Sequence, residues 1–348
     1  MLMENVRKVS VLIVGAGPSG SVCGYLLKKA GVDCVIIDYA SFPRDKICGG
    51  GLTPKAWRLL DQLIPGVKYD YLPIKRLRMQ FDDDPVCEFE SEFELRMTCR
   101  KDFDYTLLRY YQQAGGELIK NSFARYEEQS DGNLLVTMKS GDQFLCRYLV
   151  AADGAYSHIR RQMFGEYKSN AFFIEQYTEA SEPRDIFAHF SNNYFPGCFY
   201  KFSSPGRDIW GFRSPEETTR EQFEKLLAIN GIPQGRIVGA FIPMGVVQST
   251  HEHIMFVGDA GGFPNRITGE GLYDAFKSAY NAKCAIVERK SFNETNSDIF
   301  AKMKAQDSLF SFANTTLCRK LFRWVLRHPR LFKWLFDAKM KRETWLSK

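Results

Sequence analysis

An α/β fold in two packed domains, closed by C-terminal helices, is what this sequence predicts, and three stretches predict it. Val9 to Asp38 runs strand, glycine turn, helix and strand; residues 170–250 hold five short aromatic-rich strands; residues 294–348 carry the apolar spacing of helices. At 348 residues the chain is longer than a single core usually grows, and 45% hydrophobic content with 14% aromatics suffices for two.

The first stretch reads VSVLIVGAGPSGSVCGYLLKKAGVDCVIID, a Rossmann-like βαβ unit with a dinucleotide fingerprint. An apolar run (Val11 to Val14) enters the turn, Gly31 ends the helix, and a second run (Val35 to Ile37) closes on Asp38. Gly15 allows the tight turn, Gly17 leaves room for a pyrophosphate, and Gly20 lets helix and strand pack closely; Ser19 belongs to the same turn. Unpaired N–H groups at the helix start favour phosphate charge, and Asp38 suits a ribose diol without a phosphate, as in FAD or NAD.

After Asp38 the loop SFPRDKICGGGLTP lacks periodicity. Its glycines Gly49 to Gly51 fit either a backbone pressed against something flat or a flexible loop. Thr53 to Leu63 reads as a helix and residues 71–98 as short strands. Phe103, Leu107, Leu108 and Tyr111 mark the face of a helix that stops at Gly115-Gly116, with Arg100 placed just before it as a surface or capping-region charge. Residues 117–152 read as a three-stranded meander with turns at Asp131-Gly132 and Gly141-Asp142, ending on Asp153-Gly154.

From about residue 170 the character is antiparallel: FFIEQYTE, IFAHFS, GCFYKFS, DIWGF and RIVGAFIP are strands, with one helix between Glu217 and Asn230. A buried strand, Ile254 to Val257, then leads into Gly258-Asp259, and Thr268-Gly269-Glu270-Gly271 opens a long helix. A further helix covers about 294–313.

The net charge of +6 is unevenly placed: residues 317–348 hold ten Lys or Arg against Asp337 and Glu343, leaving the remainder at −2. That speaks against a general nucleic-acid-binding protein, whose basic stripe lies on the folded body. In this tail Leu321, Phe322, Val325 and Leu326 precede Pro329, and Leu331, Phe332, Leu335 and Phe336 follow it, giving two short amphipathic helices broken at the proline. With Trp324, Trp334 and Trp345 among cations, the tail suits an anionic membrane surface and equally a lid docked on the second domain.

The nine cysteines are odd in number, scattered and without a CxxC pair, which argues for free thiols and favours the cytosol, with the tail peripheral to a membrane. No uninterrupted apolar stretch spans a bilayer, and the run before Gly15 is explained as a strand rather than a signal peptide. His251 and His253 lack a third residue spaced for a metal site, and no GxSxG elbow is present.

The ordered set of GAGPSG with Asp38, Arg100, Ala152-Asp153-Gly154 and Val257-Gly258-Asp259-Ala260 resembles the FAD-dependent oxidoreductases of the p-hydroxybenzoate-hydroxylase type. Cys48-Gly49-Gly50-Gly51-Leu52 and GDAGGFPNRITGEGLYDAFKSA look most like the geranylgeranyl reductase family, which saturates isoprenoid double bonds. The resemblance implies a discontinuous FAD-binding domain (1–70, 99–165, 250–300), a substrate domain (71–98, 166–249) of antiparallel α+β type and a C-terminal helical segment (301–348). It implies that Gly15, Gly17, Ser19 and Gly20 hold the pyrophosphate, Asp38 the ribose, and Arg100 phosphate charge. Ala124 would meet adenine, Cys48, Gly49 and Gly51 would line the flavin, and Asp153 joins the set. Asp259 would accept from ribityl hydroxyls, and Gly271 and Leu272 would bring helix N–H groups to the flavin N1/O2 edge.

The expected reaction is reduction of a carbon–carbon double bond in an isoprenoid or lipid-like substrate by hydride from N5, with Cys48 or Tyr200 donating the proton. The electron donor, NAD(P)H or a ferredoxin-like protein, stays open. The family's Tyr-x-Trp-x-Phe-Pro segment is replaced by Pro196-Gly197-Cys198-Phe199-Tyr200-Lys201-Phe202-Ser203, without its tryptophan and final proline. A halogenase Trp-x-Trp-x-Ile-Pro segment and a second GxGxxG are absent. An aromatic monooxygenase and a flavin-binding membrane-surface protein without turnover are the alternatives.

Overall fold

A computed structural model describes residues 6–166, 170–214 and 217–345. Its first sheet has seven strands, in the order Glu117–Lys120, Cys34–Asp38, Val6–Val14, Gln143–Ala151, Leu134–Met138 and Phe123–Glu128, with Ile254–Phe256 also pairing Gln143–Ala151. Val6–Val14 runs parallel to both neighbours, as a right-handed βαβ unit requires. The helix between, Pro18–Lys29, starts with proline at its first turn and hands over to Gly31 at φ +74°.

The three-stranded meander and both its turns are present, but it begins at Phe123 rather than at residue 117. Only Phe123–Glu128, Leu134–Met138 and Gln143–Ala151 form it. Glu117–Lys120 instead pairs in parallel with Cys34–Asp38 at the far edge. The two-residue joint Asn121-Ser122 carries no Gly or Pro to signal the departure. Tyr111 locks that edge: its hydroxyl donates to the Glu117 carbonyl at 3.0 Å and accepts from the Glu117 N–H at 3.1 Å.

One face of the sheet is covered by Pro18–Lys29, Pro54–Leu63, Arg100–Gln113 and Leu272–Glu288, whose Val22, Leu27, Leu60, Leu107 and Phe276 pack with Val11, Ile13 and Ile36. On the other face Leu12, Val14, Phe144 and Phe256 meet Ile159 of His158–Phe164.

The second sheet has eight strands: Ile237–Pro243, Asn170–Glu179, Arg207–Arg213, Cys198–Ser204, Ile186–Phe190, Leu72–Phe81, Cys87–Met97 and Gly51–Leu52. It is antiparallel except where Ile186–Phe190 runs parallel to Leu72–Phe81, the seam between two distant chain segments. Arg220–Ile229, held by a Thr219/Gln222 capping box, covers Phe199, Trp210 and Phe212 with Phe223 and Leu227.

The tail forms Thr316–Leu326 and Pro329–Trp345, with Pro329 opening the second helix. Phe322, Leu326, Phe332 and Phe336 pack on Leu77, Phe81 and Phe89 of the 72–97 hairpin. Arg323 Nε and Arg327 Nη2 reach Asp84 at 2.6 and 2.7 Å, while Asp337 accepts from Ser91 Oγ at 2.6 Å. Half of the apolar tail therefore docks. Leu317, Leu321, Trp324, Trp334 and Leu335 remain exposed; the Trp345 side chain lies outside the described residues.

Candidate functional site

The glycine turn is built by what a side chain would strike. A Cβ on Gly15 (φ +108°) would lie 2.2 Å from the Ala152 carbonyl oxygen, and one on Gly20 would lie 1.9 Å from the Gly15 oxygen. These glycines let the turn, its helix and the strand end at Ala151 come together. Gly17 is different: a Cβ there would meet only Arg44 Nη2, at 3.6 Å. The helix start thus faces an open cradle beside a guanidinium, with no acid in its first turn. Asp38 buckles the turn from behind, accepting from the Ala16 N–H at 2.7 Å and the Ala40 N–H at 2.8 Å. Each oxygen keeps a lone pair for a hydroxyl.

Arg100 is neither outside its helix nor a surface charge. It is the first residue of Arg100–Gln113, buried, and its guanidinium spends two N–H groups on Asp104 at 2.7 and 2.9 Å. The helix turn brings Asp104, four residues on, under it, and it also bonds Cys48. The cation beside Gly17 is Arg44, whose Nη2 stands 3.8 Å from Asp104. Sequence reading passed over Arg44 because its loop has no period.

The Cys48 loop is a pressed backbone rather than a flexible segment. The Gly50 oxygen accepts from the Thr98 N–H and Oγ1, both at 2.9 Å, and a Cβ on Gly50 (φ +70°) would lie 2.1 Å from the Thr98 oxygen. A Cβ on Gly49 would penetrate the Phe202 ring, 2.3 Å from its Cδ2, so the loop lies flat against the second sheet. The Cys48 thiol accepts from the Gly50 N–H at 3.4 Å.

Asp259 lies next to Gly271, whose Cβ would be 3.4 Å from its Oδ1, and it receives Lys46 Nζ at 3.2 Å. Gly271 is the N-cap of Leu272–Glu288, and Leu272 is buried as the first helical residue. Gly258 touches Ser19, where a Cβ would come 2.9 Å from its Oγ. The Asp153 Oδ2 accepts from the His158 N–H at 2.8 Å, whereas its Oδ1 is buried with no hydrogen-bond partner among the described residues. Burial pushes the Asp153 carboxyl above its usual range. Ala124 stands apart: it is exposed at the bulge that opens Phe123–Glu128. Its link to the turn is indirect, through the Asn121 N–H on the Asp38 carbonyl at 2.9 Å.

Tyr200 has a partner that sequence reading did not single out. Glu175, Gly211 and Tyr200 lie in one row across three strands, paired Glu175 to Gly211 and Gly211 to Tyr200. Strands two apart are separated by roughly 10 Å, but glycine in the middle leaves the space open. A Cβ on Gly211 would lie 2.1 Å from the Tyr200 ring. The Tyr200 hydroxyl donates to Glu175 Oε1 at 2.9 Å, and its ring stacks on Phe202 with centroids 4.5 Å apart. Phe202 and Tyr200 thereby form a layer against the Cys48 loop.

The residues present fit FAD: an open phosphate cradle with Arg44, an acid positioned for a diol, an unpartnered Asp153 oxygen, and a glycine-capped helix start beside Asp259. Comparison with known proteins agrees. Residues 8–73 match the family described as FAD binding domain. The chain is 26% identical to geranylgeranyl diphosphate reductase of Rhodobacter capsulatus, covering 82% of this chain and 76% of that one. It is 34% identical to menaquinone reductase of Mycobacterium tuberculosis over 44% of this chain and 39% of the relative. A geranylgeranyl bacteriochlorophyll reductase-like structure from Thermoplasma acidophilum superposes with a TM-score of 0.71 at 19% identity, covering 97% and 92%. A flavin-dependent brominase does so at 0.73 and 18%, covering 97% and 94%. Residues 8–73 thus form an FAD binding domain, FAD is the cofactor, and geranylgeranyl reductases stand among the relatives of the chain.

Proposed function

We propose that the protein reduces a carbon–carbon double bond of an isoprenoid or lipid-like substrate. The observation that carries this reading is the Phe202–Tyr200 layer laid flat on the Cys48 loop, an apolar wall ending in a hydroxyl. Reductase relatives spanning most of the chain support it. Bound FAD, once reduced by an external donor, supplies a hydride from N5. Gly17 and Arg44 would hold the phosphates and Asp38 the ribose, and the N–H groups at Gly271 and Leu272 would stabilise negative charge on the reduced cofactor. Cys48 and Tyr200, which meet where the glycine loop lies on the second sheet, would be the sources of the matching proton.

The test is anaerobic. Dithionite-reduced holoprotein should be reoxidised by geranylgeranyl diphosphate without oxygen, giving a product heavier by two hydrogens per double bond. Reoxidation only by oxygen, with a hydroxylated aromatic product, would replace this reading with monooxygenation.

The exposed face of the tail carries a second part of the reading: Leu317, Leu321, Trp324, Trp334 and Leu335 lie among the exposed Lys320, Arg330 and Lys341. That composition suits the interface of an anionic membrane, where a prenyl substrate partitions. Among the described residues no helix is long and apolar enough to cross a membrane. Binding to phosphatidylserine vesicles should weaken with salt, as screening over a Debye length of ~8 Å requires, and should vanish in the Trp324→Glu/Trp334→Glu double variant. Equal sedimentation of wild type and double variant would refute a membrane-facing tail.

A further inference from the structure

Glu175 is a carboxyl with 0% of its surface exposed, set on the face of the second sheet that meets the Cys48 loop. Four groups face it from three strands and one loop. Its Oε1 accepts from Tyr200 at 2.9 Å and its Oε2 from Tyr177 at 3.4 Å. The Cys48 N–H bonds it from the loop, beside the Cys48 thiol. Arg207 acts on it from the neighbouring strand, with its guanidinium stacked 4.2 Å from the Tyr177 ring centroid. Both oxygens are thus met by hydroxyls, Tyr200 toward the site and the partly exposed Tyr177 toward solvent.

We propose that Glu175 is the proton reservoir of the reaction, feeding the Tyr200 hydroxyl, which delivers a proton to the substrate carbon next to the one that receives hydride. The inference rests on the reductase reading above. The step balances as follows: the alkene's π pair takes the Tyr200 proton to form one C–H bond, and the hydride of the reduced flavin forms the other. The Tyr200 oxygen recovers its proton from Glu175, and the resulting carboxylate is reprotonated from water through Tyr177. Two hydrogens are added, and the flavin alone is oxidised.

The arrangement suits the task. Burial pushes Glu175 up to about 7, against the lowering effect of Tyr200, Tyr177, Arg207 and the Cys48 N–H, so near neutral pH it exchanges readily between its protonated and ionised forms. Tyr200, raised well above its ordinary range by burial and by Glu175, is a poor acid alone and needs a donor behind it. A reservoir bonded to the donor removes the need for water in an apolar site.

The test uses the FAD-loaded full chain and Glu175→Gln, which keeps an acceptor for Tyr200 but holds no acidic proton. Infrared spectra of the oxidised holoprotein should show a buried protonated carboxyl titrating with a midpoint of about 7, absent from Glu175→Gln and moved upward in Tyr200→Phe. In single turnovers of reduced wild type with geranylgeranyl diphosphate, the rate should fall tenfold per pH unit above that midpoint. Glu175→Gln, with FAD content and thermal midpoint unchanged, should be slower by about 10²-fold and flat with pH. A wild-type rate and pH profile in Glu175→Gln would overturn the proposal. So would a Glu175 titration in the ordinary carboxylate range, or a midpoint unmoved by Tyr200→Phe. Failure of wild type to reduce this probe would count against the isoprenoid reading alone, and the infrared titration would then decide the reservoir by itself.

Discussion

Gly17→Val should yield a folded, colourless protein. In the structure a side chain at Gly17 has space, since a Cβ would meet only Arg44 Nη2, the end of a flexible side chain. The strand, helix and core on either side are left untouched. The space is where a pyrophosphate would come to the helix N–H groups, so valine should exclude the ligand and spare the fold. Overlap of this kind costs on the order of 3 kcal/mol, which is at least ~100-fold in FAD affinity. Gly15→Ala and Gly20→Ala behave oppositely, because their side chains would enter the Ala152 and Gly15 carbonyls and disturb folding itself. Flavin absorbance per chain, read beside the thermal midpoint, separates the two. Stoichiometric FAD in Gly17→Val would show that the cofactor lies elsewhere.

Deleting residues 317–348 should cost the protein its cooperative fold. Phe322, Leu326, Phe332 and Phe336 close over Leu77, Phe81 and Phe89, with Phe89 in edge contact with two of the rings at 5.4 and 5.6 Å. A fully buried side chain of this kind contributes about 1.5–3 kcal/mol; Leu326 is buried and the three phenylalanines partly so, and the four together still approach the lower end of a domain's net stability, about 5–15 kcal/mol. The deletion also strands Asp84. Arg323 and Arg327 hold its carboxyl well below the usual range, and that stabilisation is present above ~3.9, the unfolded value, and lost as pH falls through the folded one. The acid limb of the wild-type stability curve should therefore be shallower in Asp84→Asn. An unchanged thermal midpoint in the truncated chain would make the tail an appendage.

The parts legible in the sequence are those governed by local periodicity. The βαβ unit, the helix at 54–63 and the strands of residues 170–243 follow from spacing alone, and each is present. Distant pairings were not legible: nothing near Ile186 announces that it runs parallel to Leu72–Phe81. Arg100 misled because an arginine near a helix start is ordinarily exposed, whereas Asp104 gives this one a buried partner. Glu175 hid within FFIEQYTE, where an alternating charge reads as the solvent face of a strand. Only the second layer, the Cys48 loop, makes that face interior. Lys55 hid for a related reason, since on its amphipathic helix a lysine reads as surface.

Lys55 is almost wholly buried, with its Nζ 2.9 Å from Glu270 and 3.0 Å from Glu343. Glu270 belongs to the turn entering the helix start at Leu272, and Glu343 to the last turns of the tail. One ammonium thus serves two carboxylates, one at the cofactor's edge and one at the end of the chain, and its charge is strongly held by both. Free energy spent at either end is shared with the other. If FAD binding strengthens docking of the tail through this ammonium by some factor, docking of the tail strengthens FAD binding by the same factor. The chain's last helix and the turn that opens Leu272–Glu288 thereby answer to a common equilibrium.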